Sequence, residues 1–170
     1  MQKPRIIKLK TLWDNYPDQD SPCSSKFNNQ CAIRVGAALA KSGVKTTTLV
    51  PKARHCWFHD TKDGHILAAA ELADGLQNKH ITGVQKAESL TPENYKSKIA
   101  GRSGIIYFEN YWERSTDKKG QPTDDHIDLW NGSRITDWSS WIRIQLSVVI
   151  PDVWSDLEKS KRILFWRVME

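Results

Sequence analysis

The 170-residue chain is 26% charged and 39% hydrophobic, the balance of a soluble globular protein, and it is long enough to bury a core as one domain over residues 1–170. Its formal net charge of +5 suits an anionic partner such as a cell-wall polymer, but no Lys/Arg-rich run, zinc-finger spacing or RNA-binding motif supports nucleic acid. No stretch approaches the about 18 unbroken apolar residues of a membrane span. The start, Met1-Gln2-Lys3-Pro4-Arg5, leads into no apolar run long enough for a secretory signal.

In chain order, Ile6 to Tyr16 reads as a helix after residue 8, and Pro17 to Lys26 as a polar loop. Asn28 to Gly43 reads as the helix around which the rest is organised. Asn28 or Asn29 is placed to cap it, and Gly43 to close it in a left-handed conformation. Cys31 falls in the first turn, followed at helical spacing by Val35, Ala38, Leu39 and Ser42, so its face turns inward. Ala32, Gly36, Ala37 and Ala40 leave room for a close neighbour. Val44 to Val50 is strand-like in composition. His55, Cys56 and His59 lie together, but a structural zinc site needs a fourth ligand, and none is evident nearby; no metal and no cofactor is expected.

A further helix is expected from Asp63 through Leu76, on the stripe Ile66, Leu67, Ala69, Ala70, Ala73 and Leu76. Gly83 to Ser89 reads as a connector. Thr91-Pro92 marks the start of a short helix running to Ile99. Ile105 to Phe108 is a buried strand, and Ser115 to Asp125 a hairpin loop. Asp125 to Trp130 alternates, with His126, Asp128 and Trp130 on one face and Ile127 and Leu129 on the other. Asn131-Gly132 is a strong two-residue turn signal, with Ser133 to Trp138 returning as the antiparallel partner. Trp141 to Ile150 is mixed in character, and Ile163 to Val168 closes the chain as a strand. The eight tryptophans are spread along the chain, as expected of core and cleft walls. Of the three cysteines, one pair is open to form, Cys23 with Cys56, leaving Cys31 free.

These elements assemble a constellation. A helix amino terminus favours a thiolate over a thiol, and the thiolate is the nucleophile. A histidine on a later strand serves as base and acid, and an acidic residue orients the imidazole. With a two-residue loop, residue 130 faces 133 and His126 faces Asp137, where cross-strand Cβ atoms sit roughly 4.5–5.5 Å apart. Asp128 shares the face of His126 but points along the strand, making it the weaker orienter. The site residues are therefore Cys31, His126 and Asp137. The backbone N–H of Cys31 is a candidate oxyanion donor, with Gln30 as a second. The order cysteine on a helix, histidine on a strand, polar partner on the next is that of papain-like amidases and their NlpC/P60 cell-wall branch. The fold class is α+β, with the nucleophile-bearing helix packed on an antiparallel sheet.

Gln30-Cys31-Ala32-Ile33-Arg34, Gly104-Ile105-Ile106-Tyr107-Phe108 and above all His126-Ile127-Asp128-Leu129-Trp130-Asn131-Gly132 resemble the fourth family of type VI secretion amidase effectors, antibacterial toxins with an NlpC/P60-type fold. The resemblance covers residues from about 10 to 150. It implies Cys31 as nucleophile, His126 as base and Asp137 as orienter. It implies hydrolysis of the peptidoglycan stem peptide between D-glutamate and meso-diaminopimelate. It also implies synthesis in the producer cytoplasm, export by the type VI machinery without a signal peptide, action in a target's periplasm, and a cognate immunity protein that blocks the cleft. Two other classes compete: a non-catalytic cell-wall or protein binding domain on the same scaffold, and another thiol acyl-transfer enzyme.

Overall fold

The computed structural model describes residues 3, 5–18, 22–23, 30–112, 124–133, 135 and 162–170. Its frame is a four-stranded antiparallel sheet: β1 (Glu88–Leu90), β2 (Ser103–Trp112), β3 (Asp124–Asn131) and β4 (Arg162–Arg167), in the order β1-β4-β2-β3. The last strand in sequence thus enters between the first two, so the carboxyl-terminal Ile163 to Trp166 is fully covered. β1 falls in the stretch expected to be a connector; three residues are too few for an alternation to show, and pairing with β4 is what makes them a strand.

Both faces of the sheet are buried. On one, Ile105, Tyr107, Ile127, Leu129, Leu164 and Trp166 pack with residues of α1 (Leu9–Asp14), α2 (Cys31–Lys41) and α4 (Ala69–Asn78). On the other, Ile106, Phe108, Trp130, Ile163 and Phe165 pack with Tyr95 and Ile99 of α5 (Tyr95–Ile99). This is why β2 reads as an unbroken apolar run rather than an alternating one. The class is α+β, as the sequence predicts, with the cysteine-bearing helix on the sheet.

Several local expectations change. Thr46–Leu49 forms a short helix, α3, rather than a strand; three adjacent threonines favour β structure only where a neighbouring strand is available to pair. Asp63 does not cap α4. It ends a 3-10 turn, Thr61–Asp63, capped by Asp60, whose side chain accepts from the Lys62 N–H at 2.9 Å. Ile66 then bridges to His55 before α4 starts at Ala69. Trp130 and Trp166 are buried, but Trp57 is 67% exposed, against the expectation for the tryptophans as a set. The helix expected to start at Thr91-Pro92 starts at Tyr95, with Asn94 in the cap position, and does end at Ile99; Gly43 closes α2 with φ +100°. The loop 115–123, the return strand beyond Ile135 and the segment 141–150 lie outside the described residues.

The small residues of α2 are used at one point above all. A Cβ on Gly36 would stand 2.1 Å from the carbonyl oxygen of Gly64, and one on Gly64, where φ is +75°, would stand 2.3 Å from that of Gly36. The segment after the 3-10 turn therefore rests directly on the helix backbone. Gly36→Ala is expected to destabilise the protein by about 1–3 kcal/mol through this overlap, despite a gain in helix propensity of about 1 kcal/mol. Urea unfolding of the variant checks it, and an unchanged midpoint would refute the close approach.

Candidate active site

Helix α2 begins at Cys31 with Gln30 in the cap position and no side-chain cap; Asn28 and Asn29, the expected caps, lie outside the described residues. The Gln30 side-chain oxygen instead accepts from the Cys23 N–H at 3.0 Å, which ties the preceding loop to the helix start. Buried Arg34, one turn on, donates from Nη1 to the Pro17 carbonyl at 3.2 Å. The first N–H groups of a helix have no partner within it and carry its positive dipole end. Cys31 occupies that end, is 3% exposed, and is not joined in a disulfide.

Strand β3 brings its start to the same place. Cys31 Sγ lies 4.0 Å from the carbonyl oxygen of Asp125, and the neighbouring His126 side chain hydrogen-bonds Cys31. Tyr107 on β2 donates to Asp125 Oδ2 at 2.9 Å, fixing the strand here. Burial, and then the Asp125 carboxylate, push that phenol well above its ordinary range, so it remains a donor.

Asp128, two residues along β3 on the same face as His126, is wholly buried. Its Oδ1 accepts from the Leu129 N–H at 2.8 Å, and its Oδ2 stands 3.4 Å from His126 Nε2. Burial by itself would lower the imidazole's proton affinity. Contact with Asp128 and Cys31 outweighs it and raises His126 to about 10 from its ordinary 6.5. The arrangement favours an imidazolium between a sulfur and a carboxylate.

Of the residues expected at the site, Cys31 and His126 are brought together, and Asp137 lies outside the described residues. The expected register of the turn is corrected. Trp130 bridges to Ile135, not to Ser133, because the Asn131 side chain accepts from the Ser133 N–H at 3.0 Å, with Gly132 at φ +98°, and makes a wider turn. Asp128, expected to be the weaker orienter, is the acidic residue seen against the ring among the described residues. The alternation already put it on the His126 face, and a carboxylate is long enough to reach a ring two residues away.

On this α+β frame the structure thus brings together a thiol at a helix start, an imidazole against it and a buried carboxylate on that imidazole. The family model for type VI secretion system (T6SS) amidase effector protein 4 matches residues 27–166, well over half of the sequence. The chain belongs to this family of amidase effectors. A search of curated proteins finds no match.

The raised His126 value carries a sign for stability. Folding raises the proton affinity of the ring above that of the unfolded chain, so the protonated ring stabilises the fold. That contribution is whole below pH 6.5, declines as pH rises from there, and is gone above about 10. The stability difference between wild type and His126→Gln should follow this course in chemical unfolding at stepped pH. Asp128→Asn should lower the His126 midpoint in an NMR titration; an unmoved midpoint would show that the carboxylate does not hold the ring.

Proposed function

We propose that the protein hydrolyses the amide between D-glutamate and meso-diaminopimelate in the peptidoglycan stem peptide, using Cys31 as nucleophile. The single observation that carries this reading is the pairing of Cys31, at the start of α2, with a His126 raised in proton affinity. Family membership supports the amidase class and the delivery route, and the motif around His126 supports the wall substrate. The proposal takes the whole chain, 1–170, as one amidase domain of papain-like, NlpC/P60 type.

The thiolate of Cys31 attacks the γ-glutamyl carbonyl carbon. The oxyanion is met by the Cys31 backbone N–H in the first turn of the helix, with Gln30 as a second candidate donor. The His126 imidazolium protonates the departing amine as the C–N bond breaks, leaving a thioester. The now neutral imidazole takes a proton from water, hydroxide attacks the thioester, and the glutamyl carboxylate leaves as the thiolate is restored.

Asp137 orients His126 in this reading, on the family motif. Asp128 competes for that role, on the specific observation that its Oδ2 faces His126 Nε2 at 3.4 Å. The protein is delivered by the type VI machinery, works in the periplasm of the target, and is held in check in the producer by a cognate immunity protein over the cleft.

Purified sacculi digested with wild type and Cys31→Ala, then released with a muramidase, test the reaction by mass spectrometry. Wild type should remove the residues beyond D-glutamate, and a folded Cys31→Ala should remove none. Intact stem peptides from folded wild type would favour the binding-domain reading; transfer to an amine other than water would favour another thiol enzyme. Asp137→Asn should lower kcat roughly 10²–10⁴-fold. A loss of that size in Asp128→Asn, with Asp137→Asn near wild type, would move the orienting role to Asp128.

A further inference from the structure

Away from Cys31, the fold gathers four side chains that the sequence scatters. One ligand atom each from Cys23, Cys56, His59 and His65 lies within 4.8 Å of the others. The sulfurs of Cys23 and Cys56 are bonded to one another in this structure, the pairing the sequence left open. A disulfide alone has no use for the two imidazoles beside it. His59 Nδ1 stands 3.5 Å from Cys23 Sγ and 3.5 Å from Cys56 Sγ. The His59 and His65 rings are stacked, with centroids 3.9 Å apart. His65 is 7% exposed, and its Nδ1 is buried with no hydrogen-bond partner among the described residues. An unpartnered ring nitrogen at such depth is costly unless something takes its lone pair.

We propose that in the reduced protein Cys23, Cys56, His59 and His65 bind one Zn²⁺ as a closed structural site. Two thiolates and two imidazoles are the donor set of tetrahedral structural zinc, and hard cations such as Mg²⁺ or Ca²⁺ want oxygen instead. Bond lengths of about 2.3 Å to sulfur and 2.0–2.1 Å to nitrogen put the ligand atoms of a tetrahedron roughly 3.3–3.8 Å apart. Both distances from His59 to sulfur fall in that range. The Cα atoms of Cys23 and Cys56 are 7.1 Å apart, beyond the about 4.4–6.8 Å usual for a disulfide, and a shared ion spans such a gap without strain on the backbone. A cleft of about 400 Å³ lined in part by Pro17, Pro22, His59 and His65 gives the ion a way in.

The site does not depend on the amidase reading, but it bears on the same helix. The Cys23 N–H is held by Gln30, next to Cys31, and Gly64, next to His65, rests on Gly36 in the middle of α2. Zinc would join these two anchors of the helix across loops that share no secondary structure.

The test uses untagged full-length protein, purified with a reductant and without chelator, then measured by elemental analysis and thiol titration. About one zinc per chain is expected, retained in Cys31→Ala and lost to background in Cys23→Ser and in His65→Ala. Should those two variants fail to fold, cobalt exchanged into wild type replaces them. Thiolate-to-cobalt charge transfer with intense tetrahedral d–d bands would support the site. A folded, fully reduced wild type that takes up neither ion from excess would overturn it. So would zinc that Cys31→Ala loses and Cys23→Ser keeps. A chelator should also lower the melting temperature of the reduced wild type, and no shift would count against a structural ion.

Discussion

Strand β2 has neighbours on every side, and the remaining architecture follows from that. It pairs with β3 along one edge and β4 along the other. Its odd residues, Ile105 and Tyr107, face the α1, α2 and α4 side, and its even ones, Ile106 and Phe108, face α5. Even Gly104 has no spare room: a Cβ there would stand 2.2 Å from the Trp166 carbonyl oxygen. A strand covered in this way has a register specified from both faces, because a slip by one residue would exchange its two sets of side chains. The position of His126 opposite Phe108, and so its meeting with Cys31, is set by that register rather than by contacts of its own.

The meeting itself is electrostatically demanding. Cys31, His126 and Asp128 are all buried, and an isolated charge at such depth is costly. The cost is offset only while the groups hold each other. The carboxylate has Leu129 N–H on one oxygen and the ring on the other, and the ring has the sulfur and the carboxylate. Removing the sulfur or the carboxylate would therefore change the proton affinity of the ring. On the proposed reading of Cys31 as nucleophile the raised affinity is useful, because the proton for a leaving amine would already be on the histidine.

The large features were legible in the sequence because they rest on patterns long enough to repeat. The α2 helix shows its apolar face over eleven residues, β2 and β4 are runs with few polar breaks, and Thr91-Pro92 and Gly43 are punctuation with a direct steric cause. What escaped were short elements decided by their surroundings. The triplet Glu88–Leu90 became a strand through β4, and Thr46–Leu49 a helix in the absence of a partner strand among the described residues. At the site, Cys31 and His126 were readable from their elements. The step from His126 to its acidic partner is less legible, because it hangs on a turn register that the Asn131 side chain alters from a Trp130–Ser133 to a Trp130–Ile135 bridge, and Asp137 lies outside the described residues.

The cluster around Cys56 shows the same limit from another side. Spacing alone offered Cys56 and His59, three residues apart, with His55 as the third member. In the structure the His55 Nδ1 turns to the Ala53 carbonyl at 2.9 Å, while Cys23 arrives from the loop before α2 and His65 from beyond the 3-10 turn. Neither arrival is encoded near Cys56. Cys23 is carried there by its link to Gln30, and His65 by a glycine pair that lets two backbones nearly touch. Both routes run through α2, the helix that also presents Cys31. The small residues of α2 thus serve two ends, burying the thiol against the sheet on one side and admitting the Gly64 segment on the other, and a larger side chain at Gly36 would disturb both.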